Sequence, residues 1–377
     1  MDILFLSVST GGGHIKAAEA LKGHAKNRWP HSRCLIVDTL RYISPFLDKC
    51  IVGGYIKIIS NMPFLYGGLY TLSENNKKIV SMTYAACRML SYNLIPLIKG
   101  FNPAIIVCTH TFPLQMVCHL KREKIISAPL AAVVTDFANH PFWKLEGIDA
   151  LIVPHDDIKH EMSLAGIPRD IIYPYGIPVS AAFLVKHNRK KILDLLGLED
   201  RPTGLVMGGS LGLGSIFNCF EMLGKSRKDI QIIVVAGKNA RLKNRIERCT
   251  RENGICQKNI RVLGYTDMIP YLMDVSDFII TKPGGMTISE ALVKELPMFL
   301  TSPIPGQEER NHRFLLRSGA AVEINPAGDI CRVLTNVLED TLMLKSMKEA
   351  AKRLARPYSC RDTVSLLEKL VLAGRKL

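Results

Sequence analysis

The stretch ILFLSVSTGGGHIKAAEAL, Ile3 to Leu21, opens on an apolar run, breaks at consecutive glycines, and resumes with apolar residues at helical spacing. A run that is apolar almost throughout, instead of alternating, marks a strand covered on both faces, as a parallel sheet under helices requires. The glycines permit positive φ and leave bare backbone N–H groups at the start of the following helix. Strand, tight turn and helix in that order make half of a βαβ unit.

The pattern recurs along the chain. DILFLSVS, CLIVDTL, AIIVCTH, LAAVVTD and ALIVPH read as buried parallel strands, and IIYPYGIPVS as a last extended piece. The charged, helical AAFLVKHNRKKILDLLG interrupts the series. A second set follows in TGLVMGGS, IQIIVVAGKN, IRVLGYT, DFIITKPGG, PMFLTSP and AAVEI. The fold class expected is therefore α/β, with two Rossmann-like domains facing across a cleft and ligands outside the carboxyl ends of the strands. The boundaries expected are 1–182 for the first domain and 183–355 for the second. The amphipathic DTVSLLEKLVLAG lies in a third piece, 356–377, expected to cross back to the first domain.

The chain has 377 residues, 47% hydrophobic and 22% charged, enough for two full cores. Its formal net charge of +15 favours phosphate-bearing ligands: nucleic acid, anionic lipid or a nucleotide. Residues 1–185 carry 18 Lys and Arg against 13 Asp and Glu, and the remainder 31 against 21, so the excess is spread. With no arginine-rich arm, a dedicated nucleic-acid binder is not expected. No run of eighteen apolar residues lacks a charge or turn signal, and the opening has neither the cationic start nor the cleavage site of a signal peptide. A cytoplasmic protein is expected. Ten cysteines form no CxxC pair and no zinc spacing, so reduced, mostly buried thiols are expected.

Four loops carry candidate chemistry. STGGGH is neither GxGxxG nor a GK[ST] loop; it reads as a ligand-touching turn with His14 at its lip, or as a plain strand-to-helix turn. MGGSLGLGS, Met207 to Ser215, either holds a diphosphate on backbone donors or is a plain glycine-rich strand-to-helix turn. In TKPGGMTISEAL, Glu290 either closes a capping box with Thr287 or accepts two ribose hydroxyl hydrogen bonds. In IPGQEERNHRF, the residues Gln307, Glu308 and Asn311 cluster before a helix, either reading sugar hydroxyls or forming a solvated first turn. DxD at a strand end and HExxH are both missing, an inventory that fits a metal-free reaction on a nucleotide-bound group. Arg41 to Lys78 breaks the rhythm: it is rich in Tyr, Phe, Ile and Leu, bordered by lysines, with neither a clean strand nor a clean helix period.

The ordered set SVSTGGGH, VVTDF, YGIPV, ITKPGGMTISEAL and IPGQEERN resembles the glycolipid glycosyltransferases that include monogalactosyldiacylglycerol synthase and the processive diacylglycerol glucosyltransferases. These are related to the undecaprenyl N-acetylglucosaminyltransferase of peptidoglycan synthesis. The resemblance covers nearly the whole chain and implies the two-domain GT-B type of glycosyltransferase fold. It implies inverting transfer of glucose or galactose from a UDP-sugar to a lipid hydroxyl, with no cofactor beyond the donor.

Residue by residue, Gly11, Gly12 and Gly13 match the acceptor-side loop, with His14 and Asp136 as the catalytic pair. Gly208, Gly209 and Ser210 match the diphosphate loop, and Gly264, Tyr265 and Met268 the turn beside the uracil. Pro283, Gly284, Gly285, Met286 and Thr287 match the lining of the nucleotide, Glu290 the ribose-binding glutamate, and Gln307, Glu308 and Asn311 positions near the donor sugar. Two departures stand out. Ser180 occupies a position where relatives carry Arg, with Lys238 as a candidate substitute, and KPGGMT replaces the KAGPGT of plant relatives.

The mechanism implied is a single in-line displacement, with His14 or Asp136 as general base. The lipid acceptor gives the segment Arg41 to Lys78 a role in shallow insertion at an anionic membrane surface, on the inner face of the cell membrane. The alternative for that segment is a helical insertion packed on the first domain. Rival functions are N-acetylglucosamine transfer from UDP-GlcNAc to a polyprenyl-linked acceptor, a UDP-sugar epimerase, and a non-catalytic UDP-sugar sensor.

Overall fold

The computed structural model describes residues 1–61, 67–68, 77–225, 229–252, 260–301, 303–325 and 330–374. They form two compact units: Met1–Ala181 with Pro305–Gln307 and Arg356–Leu377, and Ala182–Ile304 with Glu308–Ala355.

The first unit is built on six parallel strands, β1 (Ile3–Ser7), β2 (Cys34–Asp38), β3 (Ile105–Cys108), β4 (Leu130–Val133), β5 (Ala150–Ile152) and β6 (Ile172–Tyr173), in the order β2-β1-β3-β4-β5-β6. Ile3 of β1 stands opposite both Cys34 and Ile105. The chain leaves β1 on one side and returns on the other, so the switch point of the sheet lies between β1 and β3.

Strand β1 shows why its sequence lacks alternation. Ile3 and Phe5 face a layer made by Ala18, Leu21 and Ala25 of the helix Gly13–Arg28 and by Val364 and Leu367 of the helix Ser359–Gly374. Leu4 and Leu6 face Leu114 and Val117 of the helix Thr111–Arg122, with Leu94 and Ile98 behind. All four strand residues are fully buried, so both faces demand apolar side chains. The segment 356–374 thus completes a layer of the first unit. Ser359 Oγ donates to Ile177 O at 3.2 Å, tying it to the YGIPV segment.

The second unit repeats the architecture with β7 (Thr203–Met207), β8 (Gln231–Val235), β9 (Ile260–Leu263), β10 (Phe278–Thr281), β11 (Met298–Leu300) and β12 (Ala321–Glu323), in the order β12-β11-β10-β7-β8-β9. Its switch point lies between β7 and β10. Val206, Ile232, Val234, Phe278, Ile280 and Phe299 pack as one core against the helices Ile216–Lys225 and Ile330–Glu339.

All twelve expected strands form and the α/β class holds, with two local differences. IIYPYGIPVS contributes only the two-residue β6. The described part of Arg41 to Lys78 is helical despite its unclear period, as Pro45–Asn61 and the start of Lys77–Ser91. The rest of it, 62–66 and 69–76, lies outside the described residues. Val52 packs with Val8 and Leu40, anchoring the helix Pro45–Asn61 to the first unit. Among the described residues no helix is long and apolar enough to cross a membrane.

Candidate functional site

In the first unit the chemistry collects at the switch point. After β1 the chain passes through Gly11 (φ 77°) and Gly12 (φ 87°), and Gly13 opens the helix that carries His14. Gly12 is the N-cap and provides no side-chain cap. The left-handed conformation at both glycines turns the chain sharply enough for His14 to reach the end of β3.

His14 Nδ1 lies 2.7 Å from Thr109 O and 2.9 Å from Thr135 Oγ1. A carbonyl oxygen only accepts, so Nδ1 carries the proton and Nε2 is the basic nitrogen. Thr109 is itself held, its hydroxyl donating to Ser7 Oγ at 2.9 Å, with both side chains fully buried. Burial pushes the His14 imidazole below the usual histidine range, while the Asp136 carboxylate and the Thr109 carbonyl pull the other way.

His110 meets His14 edge to face at 4.6 Å between ring centroids. It caps the helix Thr111–Arg122 by accepting from Phe112 N on Nδ1 at 3.1 Å. Burial, and then the neighbouring His14, hold the His110 imidazole well below the histidine range. The expected pair His14 and Asp136 is therefore part of a larger set with Thr109, His110 and Thr135. All of them sit at the carboxyl ends of β1, β3 and β4, and the motifs CTH and VVTDF contained the three additions.

Buried polar atoms gather on the same edge of the sheet. Thr10 Oγ1, Thr39 Oγ1 and both amide atoms of Gln115 have no hydrogen-bond partner among the described residues. Such groups are normally satisfied by protein, water or ligand.

In the second unit the loop after β7 runs Gly208, Gly209, Ser210, Leu211, Gly212, Leu213, Gly214, with positive φ at Gly209, Gly212 and Gly214. Two contacts make its shape specific to glycine. A Cβ on Gly208 would stand 2.1 Å from Leu213 O, and one on Gly212 2.0 Å from Ala236 O. The turn after β8 is laid against this loop: Lys238 N donates to Ser210 O at 2.9 Å, and Asn239 Nδ2 to Gly212 O at 3.3 Å. The Lys238 ammonium lies over the Tyr265 ring, 5.4 Å from its centroid. Gly264 and Tyr265 follow β9, and Met268 caps the helix Ile269–Asp274.

At the end of β10, Pro283 leads to Gly284, the N-cap of the helix Gly285–Val293. This corrects the capping-box expectation: Thr287 is the third helical residue and not the cap, so Glu290 lies a turn too far along to close a box with it. Gly285, Met286, Thr287 and Glu290 all belong to this helix. A second correction concerns IPGQEERN, because Gln307, Glu308 and Asn311 lie within the helix Gln307–Arg317 and not before it. Glu308 is buried, ion-paired with Lys282, and accepts from Ile304 N at 3.0 Å. Asn311 is fully buried and its amide donates to Pro283 O at 3.0 Å, which braces the turn from within. Neither forms a solvated first turn. Ser180 is exposed just beyond Val179.

Two α/β units with glycine loops at their switch points give the architecture of the GT-B type, and comparison with known proteins places it among the glycosyltransferases. The sequence model for monogalactosyldiacylglycerol (MGDG) synthase matches residues 14–179, and that for the glycosyltransferase family 28 C-terminal domain matches 203–357. A processive diacylglycerol beta-glucosyltransferase of Bacillus cereus is 32% identical over 94% of this chain and 90% of its own. Among solved structures, Acinetobacter baumannii MurG superposes with a TM-score of 0.62 at 14% identity, covering 98% of this chain and 99% of its own. UDP-GlcNAc 2-epimerase from Neisseria meningitidis, bound to UDP-GlcNAc, gives a TM-score of 0.62 at 14% identity over 98% of this chain and 100% of its own. At that identity the two structures speak for the fold alone. The chain belongs to the glycosyltransferase family of monogalactosyldiacylglycerol synthase and the processive diacylglycerol glucosyltransferases.

Proposed function

We propose that the protein transfers a hexose, glucose or galactose, from a UDP-sugar to the hydroxyl of diacylglycerol or of a glycosyl-diacylglycerol, with inversion and without a metal. The relative at 32% identity, named a diacylglycerol beta-glucosyltransferase, supports the acceptor class and favours glucose as the sugar. The observation that carries the mechanism is the 2.7 Å hydrogen bond from His14 Nδ1 to Thr109 O.

With Nδ1 committed to that carbonyl, Nε2 is the lone-pair nitrogen that takes the proton of the acceptor hydroxyl. That oxygen attacks the anomeric carbon, and the bond to the diphosphate breaks with its electron pair going to the leaving UDP. Attack opposite the leaving group inverts the centre. Burial lowers the histidine so that it is neutral, and therefore a base, at neutral pH. Asp136 then favours the imidazolium that forms. The unpartnered Thr10 and Gln115 atoms suit the hydroxyl-rich head of the acceptor.

In the second unit, the loop Gly208–Gly214 and the start of the helix Gly285–Val293 supply backbone donors for the diphosphate. Tyr265 stacks on the uracil and Glu290 accepts from the ribose hydroxyls in this reading, as the family resemblance implies.

Approach to the acceptor takes place at the surface of a bilayer, on its cytoplasmic face. Phe46, Met82 and Met89 are each more than 70% exposed on the helices Pro45–Asn61 and Lys77–Ser91, near the exposed Arg41, Lys49, Lys78 and Arg88. Apolar side chains among cations suit shallow insertion into an anionic surface.

The test is incubation of the purified protein, with and without EDTA, with UDP-glucose, UDP-galactose and UDP-GlcNAc over vesicles holding diacylglycerol. A β-linked hexosyl-diacylglycerol formed equally under both conditions is the expected product. Conversion of the UDP-sugar without lipid would mean epimerisation, and transfer only to a prenyl phosphate would move the acceptor class.

A further inference from the structure

A cation beside the backbone donors would stabilise the leaving diphosphate further, and the structure offers one that sequence reading passed over. Lys282 is the residue directly after β10, on the strand that borders β7 at the switch point of the second sheet. Its stem runs beside the glycine loop. A Cβ placed on Gly214 would lie 3.9 Å from both Lys282 Cβ and Cδ, and one on Gly209 3.9 Å from Lys282 Cε. The ammonium ends beside the next helix start, since a Cβ on Gly284 would lie 3.9 Å from Lys282 Nζ.

That position is enforced from several directions. The ammonium bonds Glu308 Oε1. The other oxygen of Glu308 is fixed by Ile304 N, so the carboxylate is not free to swing. The backbone around Lys282 is held by Gly284 N donating to Lys282 O at 2.8 Å and by Asn311 bracing Pro283. Both charged side chains are largely buried, at 16% and 11% exposure. A largely buried cation therefore lies where two sets of backbone N–H donors converge, the glycine loop and the N-terminus of the helix Gly285–Val293. Lys238 is disposed differently, with its ammonium over Tyr265.

We propose that Lys282 binds the diphosphate of the nucleotide donor and stabilises the charge on the departing UDP, and that Glu308 is the positioning residue that holds its ammonium. The role fits the chemistry: as the bond from the anomeric carbon to the diphosphate oxygen breaks, the electron pair stays on that oxygen, beside an ammonium already oriented. Lysine has three donors, so it bonds a phosphate oxygen while keeping Glu308.

The inference rests on the donor-site reading above, and binding measurements separate the two. Titration calorimetry with UDP and with uridine is run on the native protein, on Lys282→Met, and on Lys282→Met combined with Glu308→Gln, which leaves no unpaired buried carboxylate. UDP affinity is expected to fall at least tenfold in both variants, uridine affinity to stay within twofold, and kcat to fall by about 10²–10³. Lys282→Arg should recover part of the UDP affinity. Glu308→Gln, which keeps the cation but loosens it, should lower kcat more than it raises the KM for donor. If the native protein binds UDP and either folded variant binds it equally well, or loses uridine and UDP together, Lys282 is a structural ion-pair partner and the inference is wrong. If the native protein takes up no UDP, the donor-site reading itself is wrong.

Discussion

The imidazole of His14 donates from Nδ1 to the carbonyl oxygen of Thr109 at 2.7 Å, joining the turn after β1 to the end of β3 across ninety-five positions of sequence. One backbone carbonyl thus decides which nitrogen is basic. Replacing His14 with Gln should lower kcat by about 10²–10⁴ while leaving UDP affinity unchanged. Thr135→Val removes one polar neighbour and should cost about 1 kcal/mol, roughly a fivefold loss. Steady-state rates beside UDP titrations check both; a His14→Gln enzyme of native kcat would refute the assignment.

Stability should fall on acidification. His14 and His110 are both held below the usual histidine value of about 6.5, with burial the first cause. His24, His119, His155 and His312 are lowered as well. The sign follows from linkage: below about pH 6.5 the unfolded chain binds protons that the folded chain refuses. Stability is therefore fully present above that pH and declines beneath it. Urea midpoints measured from pH 8 to pH 5 should drop, and drop less in His110→Asn, which retains a capping side chain. A midpoint constant across the range would contradict the burial of these rings.

Two glycines should respond oppositely to alanine. Gly23 lies exposed in the middle of the helix Gly13–Arg28, and an added Cβ has nothing within 4 Å. Gly23→Ala should stabilise the protein by about 0.5–1 kcal/mol. Gly212 has φ 60° and would bring its Cβ to 2.0 Å from Ala236 O. Gly212→Ala should destabilise by more than about 1 kcal/mol, and should weaken UDP binding as the loop shifts. Thermal melts with calorimetry distinguish the pair.

Glutamate at Phe46 and Met89 should weaken binding to anionic vesicles about tenfold and leave UDP affinity alone, because both side chains are more than 70% exposed. Co-sedimentation with phosphatidylglycerol vesicles is the measurement, and undiminished binding would move the membrane contact elsewhere.

The strands were legible because both faces of each sheet are covered, which leaves near-continuous apolar runs such as Ile3 to Leu6 that no exposed segment imitates. The glycine loops were legible because positive φ restricts the residues that can stand there. Thr109 and Thr135 were not, since their meeting with His14 depends on β3 lying beside β1 and on β4 next in order, and adjacency is not written in any one strand. Lys282 was missed for a similar reason: its partner Glu308 is 26 positions away, and a lone lysine at a strand end resembles a solubilising charge. The apparent capping box at Thr287 misled because Gly284 starts the helix three residues earlier without any side-chain cap. The helix Pro45–Asn61 was obscured by Gly53 and Gly54 in its middle.

The helix Ser359–Gly374 lies against the helix Gly13–Arg28, although the whole second unit is encoded between them. On the ribosome the first unit therefore emerges with one of its layers incomplete, leaving Ile3, Phe5, Ile105 and Val107 partly uncovered until Val364 and Leu367 are synthesised. A nascent chain halted before residue 356 would present that part-covered face to chaperones and proteases, so the first unit becomes native only after the whole of the second has been made.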